Sequence, residues 1–362
     1  MGVERAYNFS PGPATLPVEV LEEARDNMLS LAGSGVGICE ISHRSKEFSA
    51  IIEQAEADLR KLLRMTDDYS VMFLQGGATL QFSAVPMNLL GQGQTADYIV
   101  TGGWSKKALA EAKKVGECHV AATTEAEKFK RIPRPDDIKL SKSPAYVHFT
   151  SNNTLYGTQW QDEPQTGGAP LVCDASSDIL CRPLNVGRYG MIYAGAQKNL
   201  GPAGVTLVII RNALLERSQD SLPIYLNYRK MVEGKSLYNT PPVFAVYIVG
   251  LVAKWLIRNG GLDQMYKRNR DKAALLYDAL DASPFFRPHA DKESRSLMNI
   301  TWRLPSEELE AQFVEQAAAH NMRNLKGHRS IGGLRASIYN AFPREGVEAL
   351  VSFMRDFAAK HG

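Results

Sequence analysis

Between residues 70 and 210, short apolar runs recur, and each ends on small or polar residues. Ser70–Leu74 leads into Gly76-Gly77 and a helical stretch from Thr79 to Leu90. Asp97–Val100 leads into Thr101-Gly-Gly-Trp104 and a helical stretch from Lys106 to Lys114. Ala145–Phe149 leads into Thr150–Thr154, Pro170–Cys173 ends on Asp174, and Met191–Ala194 and Val205–Ile210 flank a Gly/Ala loop. Runs this short, alternating with helices, predict an α/β fold with a mostly parallel sheet covered on both faces. Ligands bind such sheets in the crevice outside the strand ends, so residues distant in sequence are expected to meet there.

The length of 362 residues suits two domains better than one. The greasy stretch from Val243 to Ile257 is interrupted by Lys254 and is too short to span a bilayer, so it predicts a buried helix. Beyond the break Arg258-Asn-Gly-Gly261 come the charged helical stretch Asp263 to Leu280 and a strand-like run Leu297–Trp302. The division expected is a large domain of residues 15–258 and a smaller α+β domain of 259–362, joined by the N-terminal Pro/Gly segment 1–14.

Apolar residues make up 44% and charged residues 22%, and a net charge of +3 is spread over the chain without runs of one sign. That balance excludes a nucleic-acid or membrane-surface partner and leaves an anionic metabolite admissible. The four cysteines, Cys39, Cys118, Cys173 and Cys181, show neither CxxC spacing nor a His partner at metal-ligand spacing. They read as reduced thiols of a cytoplasmic protein without a metal site, and the charged N-terminus does not look like a signal peptide.

Lys198 stands in the Gly/Ala loop, and Asp174 closes the run 24 residues upstream. A lysine kept from water loses its proton cheaply and attacks carbonyls. Lysine and acid together are what pyridoxal 5'-phosphate requires: an amine for the aldehyde and a carboxylate to keep the pyridine nitrogen protonated. Gly76 and Gly77 admit a phosphate to the helix that follows, with the Thr79 hydroxyl as a further donor. Trp104 offers a face for ring stacking, and Thr154 is placed to reach the ring's phenolic oxygen. Each residue also has an ordinary reading: a turn, a packing residue, a helix cap. Their joint arrival at successive strand ends has no structural reason that we know.

The stretches Asn8–Ala14, Ile41–Phe48, Arg188–Asn199, Tyr238–Pro242 and Lys326–Asn340 resemble those of the phosphoserine aminotransferase family of class V pyridoxal phosphate-dependent enzymes. The resemblance implies a fold-type I homodimer with active sites at the subunit interface. It implies transfer of the amino group from glutamate to 3-phosphohydroxypyruvate, giving O-phosphoserine and 2-oxoglutarate, in serine biosynthesis. Whether a second phosphorylated oxo acid, one feeding pyridoxine synthesis, is also used stays open. By resemblance Lys198 forms the internal aldimine and serves as general base, and Asp174 binds the pyridine nitrogen. Trp104 stacks on the ring, and Ala78, Thr79, Thr154 and Gln197 complete the cofactor site. Asn239 and Thr240, with no evident route to their own subunit's cofactor, reach the phosphate of the neighbouring subunit. Arg335 takes the α-carboxylate, while Arg44, His328 and Arg329 receive the phosphate or the glutamate carboxylate, a task suited to planar guanidinium groups. Where this chain has Thr79, some members carry an arginine, so its anion site has one cation fewer.

Rival readings fare worse. A cysteine desulfurase needs a nucleophilic cysteine well after the lysine, yet the last cysteine is Cys181. A nicotinamide-dependent dehydrogenase needs a glycine fingerprint, and Gly33-Ser-Gly-Val-Gly37 has the wrong spacing. A pyridoxal-binding protein without turnover would show no glutamate-dependent transamination. A related aminotransferase using a different small amino acid and oxo acid pair is the realistic alternative.

Overall fold

The computed structural model describes residues 5–362; residues 1–4, the start of the charged N-terminal stretch, lie outside them. Its centre is a seven-stranded sheet of β1 (Tyr69–Leu74), β2 (Thr95–Val100), β3 (Glu117–Thr123), β4 (Val147–Thr150), β5 (Leu171–Asp174), β6 (Met191–Gly195) and β7 (Thr206–Arg211). The strand order is β1-β7-β6-β5-β4-β2-β3. Strands β2 to β6 pair in parallel, and β7 runs antiparallel to both β6 and β1. The sheet is thus mostly parallel, as the apolar runs predict. Strand β3 went unread: it lies on the sheet edge and carries Glu117 and His119, so it lacks the unbroken apolar character of a strand buried on both faces. The turn of direction at β7 follows from its connection, because Ala196–Val205 contains no crossover helix and returns the chain alongside β6.

Side chains alternate across the sheet and build two cores. On one face Val71, Phe73, Phe149 and Ile209 pack with α1 (Val18–Asp26), α2 (Lys46–Leu63) and α5 (Val243–Arg258). Residues Ala245–Ala253 of α5 are all buried, as expected for the greasy stretch. Where α5 crosses α2, a Cβ on Gly250 would sit 3.3 Å from that of Ala55, so glycine permits the close approach. On the other face Met72, Tyr98, Val172 and Tyr193 pack with Phe82 and Val85 of α3 (Gly77–Leu89) and Ala108 of α4 (Gly103–Ala112).

A separate core gathers around Trp302, Phe313, Phe353 and Phe357. It belongs to the antiparallel strands β8 (Arg287–Pro288), β9 (Asn299–Arg303) and β10 (Leu334–Ser337), with α7 (Glu307–Ala319) and α8 (Arg344–His361). Tyr7–Asn8 pairs in parallel with Met322–Arg323, and the Phe9 ring packs tilted by 39° against Phe342 at 4.5 Å between ring centroids. Helix α6 (Gly261–Asp281) serves both parts: Leu262 and Met265 join the sheet core, Ala273, Leu276 and Leu280 the other. Among the described residues no single helix is long and apolar enough to cross a membrane; α5 and α6 reach that length only across an 84° bend.

Candidate active site

The site is assembled at the strand ends. After β1 the chain turns through Gly76, whose φ of +88° lies in the left-handed region, and a Cβ there would meet Leu80 at 2.5 Å. Among the described residues helix α3 has no side-chain cap, and its first intrahelical bond runs from Leu80 N to the Gly76 carbonyl at 3.2 Å. The amides of Gly77, Ala78 and Thr79 therefore stand free at a positive helix end, the arrangement that takes a phosphate. After β2 the chain enters α4, where Ser105 Oγ accepts the amides of Thr101 and Gly102 at 3.0 and 3.1 Å. Trp104 sits in that first turn, and its buried indole N–H has no partner among the described residues.

Asp174 is the last residue of β5 and is 4% exposed. One carboxylate oxygen accepts the Ser176 amide at 3.0 Å, and Ser176 Oγ in turn accepts the Gly195 amide at 3.1 Å, tying the acid's loop to the lysine's. Burial pushes the Asp174 pKa up, against hydrogen bonding from Ser176 and the attraction of Lys198. Lys198 lies in the β6–β7 loop, donates to Thr154 Oγ1 at 2.7 Å, and holds its Nζ 5.9 Å from the Trp104 ring centroid. Burial lowers the lysine pKa to about 8; Asp174 and Asp178 oppose the shift and Arg335 adds to it. Such an amine exchanges protons readily near neutrality.

Arg335, on β10, is 5% exposed and donates through Nη1 to the Thr154 carbonyl at 3.4 Å, while its Nε has no partner among the described residues. Thr154 thus bridges the amine and the guanidinium. His328 bonds through Nδ1 to Ser330 Oγ at 2.7 Å, and burial together with Arg335, Arg329 and Lys107 holds its pKa below the usual imidazole value. Arg44 and Arg329 are exposed, and among the described residues neither bonds to Lys198, Thr154 or Arg335.

Asn239 and Thr240 lie beside Gln75 of their own chain. Asn239 Nδ2 lies 3.4 Å from Gln75 Oε1, and Gln75 Nε2 lies 3.5 Å from the Thr240 carbonyl, one residue before Gly76 of the same chain. Ser236 Oγ accepts the Phe73 amide at 3.0 Å and so seats the segment, while Tyr225 Oη donates to Gln75 Oε1 at 3.0 Å and holds that side chain. Both residues are exposed.

The N-terminal segment supplies a part that residue reading missed. The Ala14 amide donates to the Gln197 carbonyl at 2.9 Å, Tyr339 Oη to the Pro11 carbonyl at 2.8 Å, and a Cβ on Gly12 would come within 3.2 Å of Lys198 Cγ. Pro11-Gly-Pro13 therefore roofs the lysine; its sequence signals were the two prolines and the family-like stretch Asn8–Ala14, neither of which gave it a place in the site. The unpartnered indole N–H, the uncapped glycine start of α3 and the buried carboxylate facing a lysine form a donor set that fits pyridoxal phosphate.

The sequence profile of the aminotransferase class-V family matches residues 6–350. The chain is 54% identical to the phosphoserine aminotransferase of Desulfosudis oleivorans, over 99% of each chain. It is 52% identical to that of Herpetosiphon aurantiacus, over 98% of this chain and 99% of the relative. A solved phosphoserine aminotransferase from Bacillus circulans subsp. alkalophilus superposes with a TM-score of 0.98 at 50% identity, over 99% of this chain and 100% of that one. One from Trichomonas vaginalis, solved with pyridoxal phosphate bound, gives 0.93 at 40% identity over 97% of this chain and 100% of that one. The chain belongs to the class-V aminotransferases, in the phosphoserine aminotransferase family.

Proposed function

We propose that the protein transfers the amino group between glutamate and 3-phosphohydroxypyruvate, giving O-phosphoserine and 2-oxoglutarate in serine biosynthesis. Pyridoxal phosphate is the cofactor, and when bound it supplies the electron sink that makes the substrate α-carbon acidic. The observation that carries the reading is the Thr154 bridge, which sets a half-buried amine and a buried guanidinium on either side of one residue in the crevice.

Each residue then has a task in this reading. Lys198 holds the cofactor at its aldehyde and, with a pKa near 8, takes and returns the α-proton. Asp174 keeps the proton on the pyridine nitrogen. The amides of Ala78 and Thr79 hold the phosphate, Trp104 covers the ring and excludes water, and Thr154 and Gln197 fix its edge. Arg335 orients the substrate through the α-carboxylate, while Arg44, His328 and Arg329 receive the distal phosphate or carboxylate.

The reading extends to assembly: a homodimer in which Asn239 and Thr240 cross to the partner's phosphate. Support comes from their exposure and from an uncovered apolar surface at Leu21, Met28, Leu29 and Val36, of which Leu29 is 87% exposed. A division at 258/259, with residues 1–14 joining the smaller part, is supported by the pairing of Tyr7 with Met322 and by Phe9 lying in the second core. The free cysteines suit a cytoplasmic location.

A coupled assay with glutamate tests the activity. Phosphohydroxypyruvate is expected to be used far better than pyruvate, and the reverse preference would hand the chain to the related aminotransferases of small neutral amino acids.

A further inference from the structure

Two buried asparagines beside the site have no part in the chemistry described: Asn199, next to Lys198, and Asn340, five residues beyond Arg335. The Asn340 amide donates to Asn199 Oδ1 at 2.9 Å across the seam between the two parts of the molecule. The Asn340 side chain donates to the Leu180 carbonyl at 2.9 Å and accepts from Asn269 Nδ2 at 2.8 Å. Asn269 Nδ2 also donates to the Cys181 carbonyl at 3.0 Å. Leu180 and Cys181 end the loop that begins at Asp174, within which Ile179 N bonds back to the Ala175 carbonyl at 2.9 Å. Leu180 is fully buried with a φ of +62°, a conformation costly for a large side chain that persists only where its surroundings hold it. Its carbonyl is one of the groups Asn340 holds.

One asparagine therefore touches the loop of the amine and the loop of the acid, and it lies just past the strand that carries Arg335. An apolar seam would tolerate sliding. Directed bonds to backbone groups do not, since each has one geometry and a buried group left unpaired is costly.

We infer that Asn199 and Asn340 are positioning residues that set the register between Lys198, Asp174 and Arg335, so that an amino acid anchored at Arg335 presents its α-carbon to the lysine. The inference rests on the transamination proposed above and deepens it. A misplacement of about 1 Å costs roughly a hundredfold in rate.

The test replaces Asn199 with Ala or Leu, which remove the acceptor, and with Asp, which retains an oxygen for the Asn340 amide. Steady-state constants for glutamate are measured on cofactor-loaded protein. The pH dependence of cyanate modification of Lys198 is measured on cofactor-free protein by mass spectrometry. In Asn199→Ala and Asn199→Leu we expect kcat to fall by about tenfold or more while KM changes less than about threefold, because Arg335 still holds the substrate. The modification midpoint should move up toward the ordinary lysine range as water reaches the amine. Asn199→Asp should regain most of the lost kcat. Values of kcat within about twofold of the parent in both Ala and Leu variants, or an Asp variant as impaired as Leu, would overturn the inference. So would recovery of these variants only as unfolded chains, which would assign the bond to folding alone. A parent protein without transaminase activity would instead defeat the proposed function, and the cyanate comparison would still decide the positioning role.

Discussion

Lys198 shows how much one residue's surroundings dictate. Burial outweighs the attraction of Asp174, so its pKa falls from 10.5 to about 8. In cofactor-free protein the cyanate reactivity of Lys198 should rise with pH through a midpoint near 8, and a midpoint near 10.5 would show an amine in open water. The same shift acts on stability. Between these values the unfolded chain binds more protons than the folded one, so the cofactor-free protein should gain stability as pH rises through that window, and Lys198→Ala should lose this gain.

The arginines divide by burial. Arg335→Ala should depress the glutamate and phosphoserine half-reactions in similar proportion, because both substrates carry the α-carboxylate it is assigned. Arg329→Ala or Arg44→Ala should raise KM for phosphoserine more than for glutamate, by roughly ten- to a hundredfold if a charge-assisted bond of ~1.5–3 kcal/mol is lost. Equal losses for both substrates would return Arg44 and Arg329 to plain surface charge.

At the scale of elements, the sequence displayed what depends on neighbours and hid what depends on distant contacts. Asp174 and Lys198 were legible because each follows an apolar run, and Gly76-Gly77 because a helix start needs them there. The contact of Arg335 with the Thr154 carbonyl joins residues 181 apart, and no local pattern reports it. Strand β3 was hidden by its polar edge, and the place of Asn239 beside Gln75 by a turn that only tertiary packing defines. Helix α6 holds another such feature. Lys272, 4% exposed, donates to the carbonyls of Ile338, Tyr339 and Phe342 at 3.2, 2.7 and 3.0 Å, and so ties the helix to the stretch after β10. Lys272→Met would take this donor from the Ile338 and Phe342 carbonyls, while the Tyr339 carbonyl keeps the Phe342 amide at 2.9 Å. At ~1–3 kcal/mol for an unmade buried bond, chemical denaturation should show a loss of at least about 2 kcal/mol. A loss under about 1 kcal/mol would mean that water replaces the amine.

For the whole molecule the proposed crossing of Asn239 and Thr240 to the partner's cofactor is set against service to their own chain, where they lie exposed beside Gln75. Mixing Lys198→Ala chains with Asn239→Ala/Thr240→Ala chains separates the cases. If the pair crosses the two-fold axis, a mixed dimer holds one site with both parts intact, and part of the activity should return. If the pair serves its own chain, the mixed dimer places the two lesions in different sites, so the site with intact Lys198 remains as impaired as in the double variant and no activity returns.

The central claim is that Lys198, opposite Asp174, is the residue that holds the cofactor. Borohydride fixation of pyridoxal phosphate on the native protein, followed by peptide mapping, reads it directly. The account predicts a single modified peptide carrying the label on Lys198; a label on any other lysine, or none, would contradict it.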